Sequence, residues 1–280
     1  MAESSRMIRR RESSQRYKDD WAPYKRPMAF LVFLLVSLAM AMGTFLNPAF
    51  MKGAIKSESN TVVVSKMVNS HFNRLATIVG GSSDDENLIS DEQARAVEDL
   101  IIDYKYGWHF LHTDDMRLAN SIKKVILVSE KTDSSQVASV RKKLGKQKSS
   151  ATYIVANAFD LAGVMLEANI VTIVRIINLL AIAVCLIALQ SLLSDAFGRI
   201  IFKSALHEAM AGLMWAGFFM MLVYGLLAMI PILMDTSVIA FADFGYWLEI
   251  ASGVFLDFVI AGAIIFVISA IPWQASSRDS

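Results

Sequence analysis

The chain has 280 residues, 55% hydrophobic and 19% charged, with a formal net charge of +1. So apolar a composition excludes an ordinary soluble domain and points to an integral membrane protein. A balance near neutrality gives no general attraction to nucleic acid, and the single cysteine, Cys185, excludes an intrachain disulfide framework or a cysteine-built metal site.

Residues 1–27 form a polar, basic leader with Arg6, Arg9, Arg10, Arg11, Arg16, Lys18, Lys25 and Arg26; residues 1–20 read as disordered or weakly helical. "WAPYKRP", with Trp21, Tyr24, Lys25 and Arg26, suits a headgroup anchor before the first span. That span is 28–47, "MAFLVFLLVSLAMAMGTFLN", about the 20 residues a helix needs to cross the hydrocarbon core. Ala39 and Ala41 resemble a signal-peptide cleavage site, but the long leader and the apolar run beyond it favour a retained span.

Residues 48–167 read as a helical domain, with 15 Lys and Arg against 15 Asp and Glu and a looser link after Asn47 and Pro48. Asn60 is the expected cap of a helix whose apolar face is Val64, Met67, Val68, Phe72, Leu75 and Val79, stopped by Gly80 and Gly81. After the polar break "SSDDEN", Ser90 to Gln93 match a capping box that opens a second helix. Its expected face is Ala94, Val97, Leu100, Ile101, Tyr104 and Trp108. "TDDM" opens a third with Leu118, Ile122, Val125 and Val128, and "DSSQ", Asp133 to Gln136, a short fourth through Leu144, broken by Gly145. From Ala151 the helical pattern is uninterrupted to Ser194, predicting a projecting helix over 151–167 continuous with a second span over 168–194.

A link over 195–208 carries Arg199 and Lys203. The third span is 209–234, the link 235–246 holds Asp235 and Asp243 without a cation, and the fourth span is 247–273 before the tail 274–280. The expectation is an all-α plasma-membrane protein of four transmembrane helices, with an extracytoplasmic helical domain between the first and second. Lys and Arg near the spans place both termini in the cytoplasm.

Polar side chains inside the spans are costly and therefore informative. Counted from the cytoplasmic ends, Asp257 lies about 24 Å along its helix, Arg175 about 28 Å and Tyr224 about 25 Å. Glu249, Gly253, Asp257 and Ala261 form a stripe of acidic and small residues, and Arg175 shares a face with Asn178. The simplest arrangement pairs Asp257 with Arg175, with Asn178 or Tyr224 assisting. That cluster of Arg175, Asn178, Tyr224, Glu249 and Asp257 serves helix assembly or a coupling step.

Other motifs read as structural. His109, His112, Asp114 and Asp115 lack the further ligand a zinc site needs, and suit a helix end packed through Trp108 and Phe110. "RKKLGKQK", Arg141 to Lys148, reads as a solvated basic loop, and the methionines of the third span as filler without a copper stripe. No phosphate loop, serine elbow, kinase set or dinucleotide fingerprint is present, so catalytic, cofactor and metal residues are expected to be none.

The leading expectation is a non-enzymatic accessory, scaffold or sensor-like subunit. It presents its helical domain to other membrane or envelope proteins, with lipid as its solvent and no nucleic-acid partner. In layout the chain is similar to permeases of the cell-division and mechanotransmission class of ATP-binding-cassette systems: a cytoplasmic start, one span, an external domain, three further spans. His207 to Gly212, "HEAMAG", loosely resembles the cytoplasmic Glu-Ala-Ala segment of ATP-binding-cassette permeases in general, with Met210 in place of the second Ala and Gly212 closer than in that pattern. That resemblance implies a transporter subunit as the alternative; a proton- or ion-coupled carrier using Asp257 is the other.

Overall fold

The computed structural model describes residues 22–55, 58–81, 88–128, 135–199, 202–230 and 242–277. The leader 1–20, Trp21, the break 82–87, Asp133 of the fourth cap and Asp235 lie outside these residues. Every element among the described residues is an α-helix: α1 (Ala22–Gly43), α2 (Pro48–Ile55), α3 (Glu58–Ile78), α4 (Asp91–Tyr106), α5 (Met116–Leu127), α6 (Ser135–Lys146), α7 (Ser150–Ala158), α8 (Leu161–Arg199), α9 (Phe202–Ala228) and α10 (Ala242–Ser277). Four stretches are long and apolar enough to cross a membrane: Tyr24–Gly43, Leu161–Gly198, Phe202–Ala228 and Ala251–Ser276. The chain is thus an all-helical, multi-pass membrane protein. It divides into one compact unit of residues 1–41 with 179–280 and another of residues 42–178.

In the first unit, α1, the end of α8 and α9 share a core of Met28, Val32, Ala209 and Ala216, flanked by Phe33, Leu189 and Leu193. The Tyr24 hydroxyl donates to Asp195 at 2.6 Å, joining the start of α1 to the end of α8. His207 stacks on Trp273 at 5.3 Å, with its Nδ1 2.8 Å from the Ser276 hydroxyl, joining the start of α9 to the end of α10. At the opposite end Ser252 donates to the Ala228 carbonyl at 2.9 Å. The helices of this unit therefore alternate in direction. α9 and α10 meet backbone to backbone: a Cβ on Gly217 would lie 2.5 Å from the Gly262 carbonyl oxygen, and one on Gly262 would lie 2.7 Å from the Met220 Cβ.

That contact sets the rotation of α10. Val254, Phe258 and Ser269 are buried with Gly262, while Gly253 and Asp257 are exposed. The stripe read as the protein-facing side of this helix lies away from that buried face, because the closest approach uses Gly262, one residue on from Ala261. The side chain of Glu249 lies outside the described residues.

The second unit is a small helical domain whose core includes Met51, Val68, Phe72, Leu75, Ile122, Leu144 and Phe159, each at most 1% exposed. Burying side chains of this size contributes roughly 1.5–3 kcal/mol apiece. The stretch after Asn47 is not loose: the Asn47 carboxamide accepts from the Ala49 amide at 2.9 Å, Pro48 occupies the first helical position, and Met51 is fully buried. α3 starts at Glu58, so Asn60 lies inside it rather than capping it. Gly80, at φ +74°, turns the chain, and the Gly81 amide reaches back to the Ala76 carbonyl at 2.7 Å.

Ser90 caps α4 as its sequence predicts, accepting from the Gln93 amide at 3.2 Å. The Gln93 side chain does not complete the box. It donates to the Val128 carbonyl and accepts from Arg141, tying α4 to α5 and α6. Arg141 is consequently buried rather than part of a solvated basic loop, and α6 runs past Gly145 to Lys146. The long helix expected from Ala151 is broken at Phe159 and Asp160. Phe159 is buried against His71, whose Nδ1 lies 3.2 Å from the Ala158 carbonyl, and Asp160 takes a left-handed φ of +48°. Core packing of one aromatic ring and an Asp that tolerates this conformation outweigh local helix preference.

Candidate functional site

The richest polar arrangement lies at the start of α8, within the second unit. Asn169, Thr172, Arg175 and Asn178 recur every third residue, so they form a polar stripe that winds around an otherwise apolar helix. Thr172, Arg175 and Asn178 are buried, whereas Ile170, Ile173, Val174, Ile176 and Ile177 are exposed. Asn169, Thr172 and Arg175 meet the segment 107–115, "GWHFLHTDD", which leaves the end of α4.

Arg175 anchors the joint. One terminal nitrogen donates to the Gly107 carbonyl at 2.9 Å, the other to the Leu46 and Tyr106 carbonyls at 2.8 and 2.6 Å. The guanidinium also lies over the Trp108 ring, 4.8 Å from its centroid. Tyr106 and Gly107 sit where helix α4 ends, so their carbonyls form the negative pole of that helix and need donors from outside it. A planar guanidinium that donates in several directions from one rigid group suits three carbonyls converging from two chain segments. Asp257, the expected companion of Arg175, belongs to the other unit. Backbone carbonyls are a second means of satisfying such a cation.

Above Arg175, Asn169 makes a reciprocal pair with the backbone of His112: its oxygen accepts from the amide at 2.7 Å and its nitrogen donates to the carbonyl at 2.9 Å. The His112 ring stacks flat on Tyr104, with centroids 3.9 Å apart, and lies equally close to His109. His109 Nδ1 is 3.0 Å from the Thr172 hydroxyl. Burial, then the neighbouring His112 and Arg175, hold the His109 imidazole below its ordinary pKa. The Tyr104 phenol is pushed up to about 12 by burial and by Asp115 and Asp114, and donates to the Asp114 carbonyl at 3.0 Å. The histidines thus serve the packing of this segment, and the aromatics do the opposite of what their apolarity suggests. Trp108 is 76% and Phe110 85% exposed.

About two turns back along α4 from Tyr106, Glu98 is buried on the face that carries Ala94, Val97, Ile102 and Tyr106. One of its oxygens has no hydrogen-bond partner among the described residues. Burial raises its pKa to about 7 despite the Lys105 ammonium nearby, and the same burial raises Tyr106. Lys105 itself pairs with Glu167 of α8, and Lys52 of α2 with Asp103 at 2.6 Å.

The chain matches no known protein-family model, no curated protein and no solved structure. The functional reading therefore rests on geometry. Of the five polar residues singled out in the spans, Arg175 and Asn178 lie together on the buried side of α8. Tyr224 sits in an aromatic cluster of the first unit, 4.5 Å from Phe258 and 6.0 Å from Phe33 between ring centroids. Asp257 is exposed. Residues that sequence reasoning passed over are Asn169, Thr172 and Glu98. The three-residue recurrence of polar side chains in an apolar run was the available signal for the first two; nothing local marks Glu98 as buried.

Proposed function

We propose that the chain is a non-enzymatic plasma-membrane subunit, a scaffold or sensor-like component. Both termini lie in the cytoplasm, and the 42–178 unit faces a protein partner on the other side. The observation that carries this reading is the use made of Arg175. A cation on an apolar helix is engaged by three carbonyls of the helical domain, which makes it a fixed joint rather than a moving charge. The domain is thereby held to α8, and its exposed Trp108 and Phe110 form the surface offered to the partner. A rigid domain edge carrying exposed aromatics is the kind of surface on which protein contacts concentrate.

The test places a photo-crosslinking residue at Phe110 or, as a control, at Lys142 in the full-length protein in cells. The expected result is a discrete protein adduct from position 110, lost with Arg175→Leu, and none from position 142. Adducts to lipid alone at position 110 would overturn the partner surface. A carrier is the second reading, favoured by the exposed carboxylate of Asp257 on a membrane-spanning helix. Proteoliposome flux that depends on pH and vanishes in Asp257→Asn would establish it in place of the scaffold.

A further inference from the structure

A cavity of about 710 Å³ lies between α1 and α9, entirely within the first unit. Its size falls inside the range of roughly 300–1,000 Å³ typical of ligand sites. Lys25 and Arg26 line one end, and Phe30, Phe33, Phe219 and Val223 are among the residues lining the rest. From Lys25 to Phe33 the wall extends about 12 Å along α1. The cations stand at the end of the unit where Tyr24 meets Asp195, a polar end, and the apolar walls lead from there into the stretch that spans the membrane. Among the described residues no carboxylate lines the cavity. Trp215 completes the apolar wall on α9, midway along its membrane-spanning stretch.

The geometry points to a binding site for an anionic phospholipid. Its phosphate meets Lys25 and Arg26, and an acyl chain lies along Phe30, Phe33, Phe219 and Val223. The sequence of polarity along the groove, positive and then apolar, matches the lipid's own order from headgroup to tail. An apolar partner helix would leave both cations without a counter-charge, and a zwitterionic headgroup would bring its own cation against them. The start of α1 adds the positive end of a helix dipole at the same place. This inference is independent of the scaffold reading.

Native mass spectrometry of the full-length protein in detergent, titrated with phosphatidylglycerol, phosphatidylcholine or inorganic phosphate, tests it. Phosphatidylglycerol is expected to be retained more than tenfold in preference to phosphatidylcholine. The double variant Lys25→Gln with Arg26→Gln should weaken its retention about 30-fold, each charge contributing about fivefold. Val223→Trp, which fills the apolar half, should reduce it while the melting temperature stays unchanged. Equal retention of the two lipids, a preference untouched by the double variant, or retention of phosphate without any lipid preference would each overturn the site.

Discussion

Replacing Arg175 with Leu removes the guanidinium that joins α8 to the end of α4 and to Leu46. Three carbonyls lose a charged donor, at 2.6, 2.8 and 2.9 Å. Hydrogen bonds to charged groups contribute about 1.5–3 kcal/mol each. Leu46 and Tyr106 share one nitrogen, so two full bonds at the lower value give about 3 kcal/mol, with roughly 0.5–1 kcal/mol more from the Trp108 ring. Because about 1.4 kcal/mol is tenfold, a total of about 3.5–4 kcal/mol makes opening of segment 107–112 roughly 300- to 700-fold more frequent. Amide hydrogen exchange of the full-length protein in nanodiscs reads this directly. The hydrogen-bonded amides of Gly107 and His112 should exchange roughly 300- to 700-fold faster in Arg175→Leu and less so in Arg175→Lys, which keeps a charge but not the planar fork. Those of α6 should not change. Exchange at Gly107 and His112 within threefold of the unaltered protein would refute the joint, since the segment would then be held by Asn169 and Thr172 without it.

The remaining predictions concern packing and pH. Gly217→Ala puts a methyl group against the backbone of α10 and should destabilise the first unit by about 1–3 kcal/mol, seen as a lower melting temperature, whereas Gly253→Ala, with nothing within 4 Å, should not. Glu98 is more basic in the folded chain than its ordinary 4.5, at about 7, so the folded state holds the extra proton. The contribution of Glu98 to stability should therefore be greatest below about 4.5 and fall, by on the order of 3 kcal/mol, as pH rises through 7. Thermal melts from pH 5 to 8 should lose most of that slope in Glu98→Gln. His109 acts with the opposite sign, its lowered pKa making the fold less stable as pH falls below the ordinary histidine value. His109→Gln should therefore steepen the decline that Glu98 causes.

The spans were legible because lipid leaves a helix no alternative, and long apolar runs record that constraint directly. Caps were legible where a residue acts on its own stretch of backbone, through its hydroxyl at Ser90 and through a left-handed turn at Gly80. Rotation and partner choice were not. Trp108 carries the apolar spacing of α4, yet it lies past the end of that helix at Gly107 and stands exposed under a guanidinium. Gln93 has the spacing of a capping box, yet Val128 and Arg141 claim its side chain. Arg175 was found as a costly residue needing company. The company proved to be carbonyls set at a helix end some 70 residues upstream, whose positions depend on the tertiary fold rather than on a motif.

Gly217 and Gly262 leave no side chain between two backbones, and that has a bearing on motion. Sliding α9 past α10 by one residue would drive a neighbouring Cβ into a carbonyl, so the two helices must travel as one body. Any displacement inside the four-helix unit then falls to α1 and α8, whose contacts with that body are flexible side chains such as Met28, Leu189 and Leu193, and which adjust by changing rotamer.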